Sequence, residues 1–161
     1  MKIRKFKPND TKAIARVIKK TFLKYNHNEG SKKDIKKYVS RFDDNKLSEF
    51  KKKLETDPIL LVAEKNKEIV GVVRGDKNRV WNLFVDGKYH GKGIGKKLMN
   101  KFEDRAIKSG SNHINIMSSL YAVPFYQYVG YKKTTGIRKS RTFRNLKYQP
   151  MIKKLNKGKR K

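Results

Sequence analysis

The chain has 161 residues, enough for one domain with a packed core, and 36% of them are hydrophobic. It has no cysteine, which excludes disulfides, thiolate metal sites, a cysteine nucleophile and iron–sulfur ligation. Lys+Arg is 43 against Asp+Glu 14, a formal net charge of +29 that attracts polyanions, so weak non-specific nucleic-acid binding is expected.

In chain order, Lys2–Phe6 alternates Ile3 and Phe6 with basic residues and predicts a first strand. Asp10 or Thr11 can cap a helix whose apolar face is Ile14, Val17, Ile18, Phe22 and Tyr25. A polar loop from Asn26 to Ser31 follows, and Ser31 can cap a second helix through Ile35, Tyr38 and Val39. A third amphipathic piece, Leu47-Phe50-Leu54, ends before Pro58. Three strands come next: Ile59–Glu64, Glu68–Arg74 after an Asn66-Lys67 turn, and Arg79–Val85 after a turn over Gly75–Asn78. A long helix with Ile94, Leu98, Phe102 and Ala106 on one face stops at Gly110, and His113–Met117 reads as a short buried strand. Strand, helix, strand implies a parallel pair with a right-handed crossover. A short helix is expected from Leu120 or Tyr121 to Val129, with Pro124 in its first turn. Two last strands, Tyr131–Ile137 and Asn145–Ile152, complete a single domain over 1–155, leaving 156–161 as a basic tail. No apolar run reaches the ~18 residues a membrane span needs, and the polar start Met1-Lys2-Ile3-Arg4-Lys5 has no apolar region behind it. The expectation is a cytoplasmic protein without a membrane partner.

The loop Gly91-Lys92-Gly93-Ile94-Gly95 follows a strand and opens the long helix. Glycines let main-chain N–H groups approach a ligand closely, and a helix N-terminus adds partial positive charge. Lys92, Lys96 and Lys97 add whole charges, so the loop suits a phosphate or pyrophosphate. A tight strand-to-helix turn without a ligand is the alternative. No Gly-Lys-Ser/Thr ends the loop, so it is not a Walker A, and glycines spaced by two do not fit a Rossmann fingerprint.

The stretch Trp81–Leu98 resembles the acetyl-CoA-binding segment of the GCN5-related N-acetyltransferases. That family's Gln/Arg-x-x-Gly-x-Gly/Ala signature matches at His90, Gly93 and Gly95, with His90 in place of the usual Gln or Arg. A second segment, Ala122–Tyr131, is similar to the family's Ala-x-x-Phe-Tyr-x-x-x-Gly-Phe pattern. The resemblance runs from Lys2 to Leu155. It implies an α/β fold: a mixed, mostly antiparallel sheet flanked by helices, in which Arg79–Val85 splays from its parallel neighbour His113–Met117. Acetyl-CoA would be co-substrate, with no metal. Its pantetheine arm would lie in the splay against main-chain groups of Leu83, Phe84 and Val85. Its pyrophosphate would sit on the N–H groups from Gly91 through Lys92, Gly93, Ile94 and Gly95 to Lys96. Ser119 stands where many relatives carry an Asn near the pantetheine. Tyr126 matches the family tyrosine that protonates the departing thiolate, a role for which a phenol pKa of ~10 is suited.

The resemblance implies transfer of an acetyl group to a primary amine by direct attack, with a strand amide polarising the carbonyl. The acceptor is left open, as a small molecule or a protein amine. So is the general base: the splayed strands offer Asn82 and Asn115 but no carboxylate, and Glu64, His27 or a water chain could serve. The acceptor pocket is expected from Phe22–Gly30, the second helix and the late strands, with Phe22, Tyr25 and Tyr38 as candidates that also read as helix core. A homodimer is compatible with the residues but not implied by them. The competing reading is a basic nucleic-acid- or ribosome-associated module on the same fold, since no Asp or Glu occurs after Asp104.

Overall fold

The computed structural model describes residues 1–141 and 146–156. A sheet of order β1-β2-β3-β4-β5-β8-β6, with β7 also on β8, separates two layers of helices. Its strands are β1 (Lys2–Lys5), β2 (Ile59–Lys65), β3 (Glu68–Asp76), β4 (Arg79–Val85), β5 (His113–Ser118), β6 (Lys132–Lys133), β7 (Arg138–Lys139) and β8 (Lys147–Lys154). Every described pairing is antiparallel except β4 with β5.

Side-chain alternation along β2 assigns the two faces. Ile59, Leu61 and Ala63 join the core under α4 (Ile94–Lys108), together with Leu98, Met99 and Phe102. Leu60 and Val62 join the opposite core with Ile14, Ile18 and Phe22 of α1 (Thr11–Tyr25). Ile35, Tyr38 and Val39 of α2 (Lys32–Ser40) and Phe50 and Leu54 of α3 (Leu47–Glu55) complete that second core. The helix ends are set locally. Ser31 Oγ accepts from Asp34 N at 3.1 Å while Asp34 accepts from Ser31 N at 3.2 Å, a reciprocal cap for α2. Gly110, at φ +93°, ends α4 in the left-handed conformation glycine tolerates best.

The decisive departure from a regular sheet is at β4. It pairs with β5 only at Arg79–Asn115 and Val80–Ile116, and from Trp81 onward the two strands part. On its other side the register jumps: Gly75 faces Val80 while Arg74 faces Asn82, so Trp81 is an extra residue. A Cβ on Gly75 would lie 2.0 Å from the Arg79 carbonyl oxygen, so only glycine fits opposite this bulge.

Several sequence expectations shift. The β3–β4 turn is confined to Lys77-Asn78, because β3 continues through Gly75 to Asp76. β5 is half-buried, with Ile114, Ile116 and Ser118 inward and alternate residues outward. Tyr131–Ile137 is not one strand; β6 and β7 are two separate two-residue contacts with β8. β8 runs from Lys147 to Lys154, and Asn145 lies outside the described residues. The short helix α5 (Val123–Tyr128) starts later than expected because Ser119 to Ala122 form a turn closed by Ala122 N onto Ser119 O at 3.2 Å. Pro124 does stand in its first turn. Leu155 is buried and donates its N–H to Asn112 O at 2.8 Å. The tail expected beyond it falls, apart from Asn156, outside the described residues.

Candidate active site

The parting of β4 from β5 opens a cavity of about 700 Å³ bounded by β4, the loop into α4, and α5. Asp86 N donates to Val70 O, so by strand alternation the main-chain groups of Phe84 face β3 and those of Leu83 and Val85 turn to the gap. The His90 ring confirms the direction of Val85, since its Nε2 lies 2.6 Å from the Val85 carbonyl oxygen. That ring also packs on Tyr25, with centroids 4.9 Å apart.

Gly91 and Gly93 hold φ of +73° and +80°, which side chains with a Cβ rarely adopt, and each faces open space. Gly93 is the N-cap of α4 and has no side chain to bond the first-turn amides. Gly95 serves differently: a Cβ there would sit 3.1 Å from the Phe125 ring, so glycine lets α4 and α5 approach. The Ile94 side chain is buried in the core, leaving its main chain to the loop. Lys96 lines the cavity with its Nζ 5.4 Å from the Tyr128 ring centroid. Lys92 does not line it; its Nζ lies over Tyr89 at 5.6 Å. Thr21 Oγ1, in the cavity wall, is buried with no hydrogen-bond partner among the described residues. An apolar slot with exposed first-turn amides at one end and an orphaned hydroxyl beside it fits a long ligand with an anionic end.

A second cavity of about 460 Å³ lies on the other side of the fork. Asn26, Leu83, Phe84, Ser119, Ala122 and Tyr126 line both cavities and form the septum between them. Tyr126 is buried, and removal from water alone pushes its phenol pKa upward. Ser119 Oγ accepts from Ala122 N at 3.2 Å, bracing the turn before α5.

The second cavity contains a group the sequence did not single out. Glu29 is 3% exposed, accepts from Asn26 Nδ2 at 2.5 Å, and lies 3.5 Å from Tyr121 N. Burial raises its carboxyl pKa, against hydrogen bonds from Asn26 and the backbone of Leu120 and Tyr121 that lower it. Its loop was expected to border the acceptor; a run of polar residues with one carboxylate was the available signal. Arg74 also lines this cavity, held by Asp57 at 2.5 and 2.8 Å and by Asn82 Oδ1 at 2.9 Å. Asn82 is therefore engaged as a hydrogen-bond acceptor.

Other candidates lie elsewhere. Glu64 lines neither of the two cavities; it bonds Arg4 at 3.1 Å, and Arg4 also grips Asp10 at 2.8 Å, so this carboxylate does not face the fork. His27 is exposed, its Nδ1 3.1 Å from Lys24 O, and lines neither cavity. Asn115 lies where β4 and β5 are still paired. Of the expected acceptor aromatics, Phe22 and Tyr38 line the second cavity, whereas Tyr25 lines the first. Among the described residues no three His, Asp or Glu side chains could jointly hold a metal.

The family model described as the acetyltransferase (GNAT) domain matches residues 24–155. The chain belongs to the GNAT acetyltransferase family. A curated relative, GCN5-related N-acetyltransferase 2, chloroplastic, of Arabidopsis thaliana, is 26% identical over 74 residues, 43% of this chain. That match spans 29% of the relative's length. The GNAT fold is shared with a GCN5-related N-acetyltransferase structure from Rhodopseudomonas palustris at TM-score 0.84 and 20% identity, over 96% of this chain and 95% of that one. PaiA N-acetyltransferase from Thermoplasma acidophilum, solved with coenzyme A, gives 0.74 and 19%, over 96% and 98%. The aminoglycoside 6'-N-acetyltransferase from Enterococcus faecium gives 0.68 and 16%, over 96% and 97%. Among the described residues, no helix is long and apolar enough to cross a membrane.

Proposed function

We propose that this GNAT chain transfers the acetyl group of acetyl-CoA to a primary amine by direct attack within a ternary complex. The observation that carries this reading is the pair of cavities joined at the β4–β5 fork through a common septum. The larger holds the CoA chain, its diphosphate on the amides from Gly91 to Lys96 and its pantetheine along Leu83 and Val85. The smaller admits the amine. The thioester lies at the septum, where attack brings the two substrates into one site.

The chemistry follows from the groups there. An ammonium of pKa ~10.4 is almost wholly protonated at neutral pH and must lose a proton before attack. Glu29, buried and basic for a carboxyl, takes that proton directly or through water. The amine nitrogen bonds the carbonyl carbon, a β4 amide stabilises the oxyanion, and the C–S bond breaks. Tyr126 gives the thiolate its proton; the amide nitrogen sheds one, so the sum is an amide, free CoA and one proton released. One protein of the same fold, from Enterococcus faecium, is named for aminoglycosides as its acceptors.

The test is a pair of measurements. CoA in millimolar excess should raise the melting temperature by several degrees. Acetyl-CoA with a panel of primary amines should release free thiol in an amine-dependent way. Absence of any melting shift removes the reading's basis.

A further inference from the structure

Tyr126 belongs to the septum, and no described residue bonds its hydroxyl, so the aim of that hydroxyl depends on how its ring and α5 are seated. The ring meets Tyr131 edge-on, with centroids 5.7 Å apart and planes at 70°. The Tyr126 carbonyl accepts from Tyr131 N at 2.9 Å. Tyr131 is itself buried and held. Its hydroxyl donates at 3.1 Å to Oε1 of Glu103, a carboxylate on α4 with no exposed surface. Lys153 of β8 donates to both oxygens of Glu103, at 3.1 and 3.3 Å. The same ammonium donates at 2.7 Å to Val129 O, where α5 ends. Its stem lies flush on Gly130, at φ +100°: a Cβ there would sit 3.1 Å from Lys153 Cε. Glu103, Tyr131 and Lys153 line neither of the two cavities. A buried ion pair adds little stability over an apolar pair of the same size, so what it can supply here is a fixed geometry.

We propose that Glu103, Lys153 and Tyr131 are positioning residues: one buried carboxylate ties α5 and the ring beside Tyr126 to α4 and β8, and so aims the Tyr126 hydroxyl at the sulfur of bound CoA. This rests on the transferase reading and deepens it. The network grips Tyr126 at two points, through the Tyr131 ring and through the end of its own helix at Val129. Its anchor stands on α4, the helix that the glycine loop opens, so the diphosphate site and the proton donor share one rigid support. A reacting group displaced by about 1 Å can lose a rate factor of about 100, which is why a hydroxyl without a bond of its own needs such a frame.

The test reads the thiol of CoA bound to the protein and needs no acceptor. A phenol that donates to the sulfur favours the thiolate and lowers the thiol pKa. Thiolate absorbance in the ultraviolet, followed over a pH series with the protein in excess, gives that pKa. Tyr126→Phe should raise it by about one unit relative to wild type. Tyr131→Phe keeps the ring and removes the bond to Glu103, and should raise it by a clear fraction of that amount. In the double variant Tyr131→Phe should add nothing, because its effect passes through the missing hydroxyl. Each variant should keep the CoA melting shift. Should Tyr131→Phe fail to fold, Glu103→Gln, which loosens the grip of Lys153, carries the same cycle with the same expected signs. An unchanged thiol pKa in the positioning variant overturns the proposal, and so does an equal rise with and without the Tyr126 hydroxyl. No rise in Tyr126→Phe removes the donor role of Tyr126, and the positioning role with it. Absence of the CoA melting shift in wild type marks the failure of the transferase reading itself, and the narrower proposal falls too.

Discussion

Burial acts on Tyr126 and Glu29 in the same direction, and this suits them to the proton donor and acceptor roles of the proposed mechanism. Taking a phenol out of water disfavours its anion, so Tyr126 keeps its proton through neutral and mildly alkaline pH and is available as a donor. Replacing it with Phe keeps the ring and removes the donor. Tyr126→Phe should lower kcat about 100-fold while leaving CoA affinity nearly unchanged, as steady-state rates and calorimetry would reveal. Burial also raises the Glu29 carboxyl pKa, so the acidic limb of the wild-type rate profile should lie above the ordinary glutamate value of ~4.3. Glu29→Gln should lose that limb and most of the rate. The folded state binds this proton more tightly than the unfolded one, so the Glu29 contribution to stability falls as pH rises from ~4.3 through its folded-state value. Glu29→Gln should flatten that slope in denaturation curves taken across the acid range, and be no less stable than wild type at neutral pH.

At the scale of elements, two glycines hold the site in shape for different reasons. Gly93 closes the loop and starts α4 in a left-handed conformation. A β-branched residue there strains the backbone by roughly 1–2 kcal/mol and tilts the first-turn amides. Gly93→Val should therefore weaken CoA about tenfold or more by titration, with a modest fall in melting temperature. Gly75 has no loop to shape. It sits opposite the Trp81 bulge that pulls β4 from β5, with the Arg79 carbonyl in the place a methyl would take. Gly75→Ala forces the strands apart at a point where backbone cannot yield, and should cost about 3 kcal/mol in urea unfolding. The capped start of α2 is a third local device, but it orients Tyr38 and Arg41 rather than the cofactor side.

Over the whole molecule, the two cores on opposite faces of one sheet let the fork stay open without loss of the fold. β1 to β4 hold on one side and β5 with β8 on the other, joined by two residue pairs and by α4 packing across. The charge of +29 acts at this scale as well. Any attraction to RNA should fall by orders of magnitude between ~50 and ~200 mM salt, as released counterions require. The CoA melting shift should weaken and persist, because main-chain amides and apolar contacts carry much of it. Parallel titrations of a random RNA and of CoA over that salt range would separate the two.

Much of this was legible in residues alone. Helical periodicity, the Ser31 cap, the Asn66-Lys67 turn and the glycines before α4 each encode local geometry within a few residues, so the element order and the glycine loop that opens α4 follow from sequence. The late strands misread because β6 and β7 are short contacts whose existence depends on β8, not on their own pattern. The Trp81 bulge is invisible locally, since it arises from the register of β3 against β4. Glu29 belongs to the site because its carboxylate meets the backbone 92 positions away at Tyr121. Arg41 and Arg74 share a cavity for the same reason: α2 and β3 converge on it only once the sheet is assembled. The family and the glycine loop were determined by the chain's own short-range order; the fork, its buried carboxylate and the cations lining the second cavity were decided by contacts between distant segments, which no local pattern specifies.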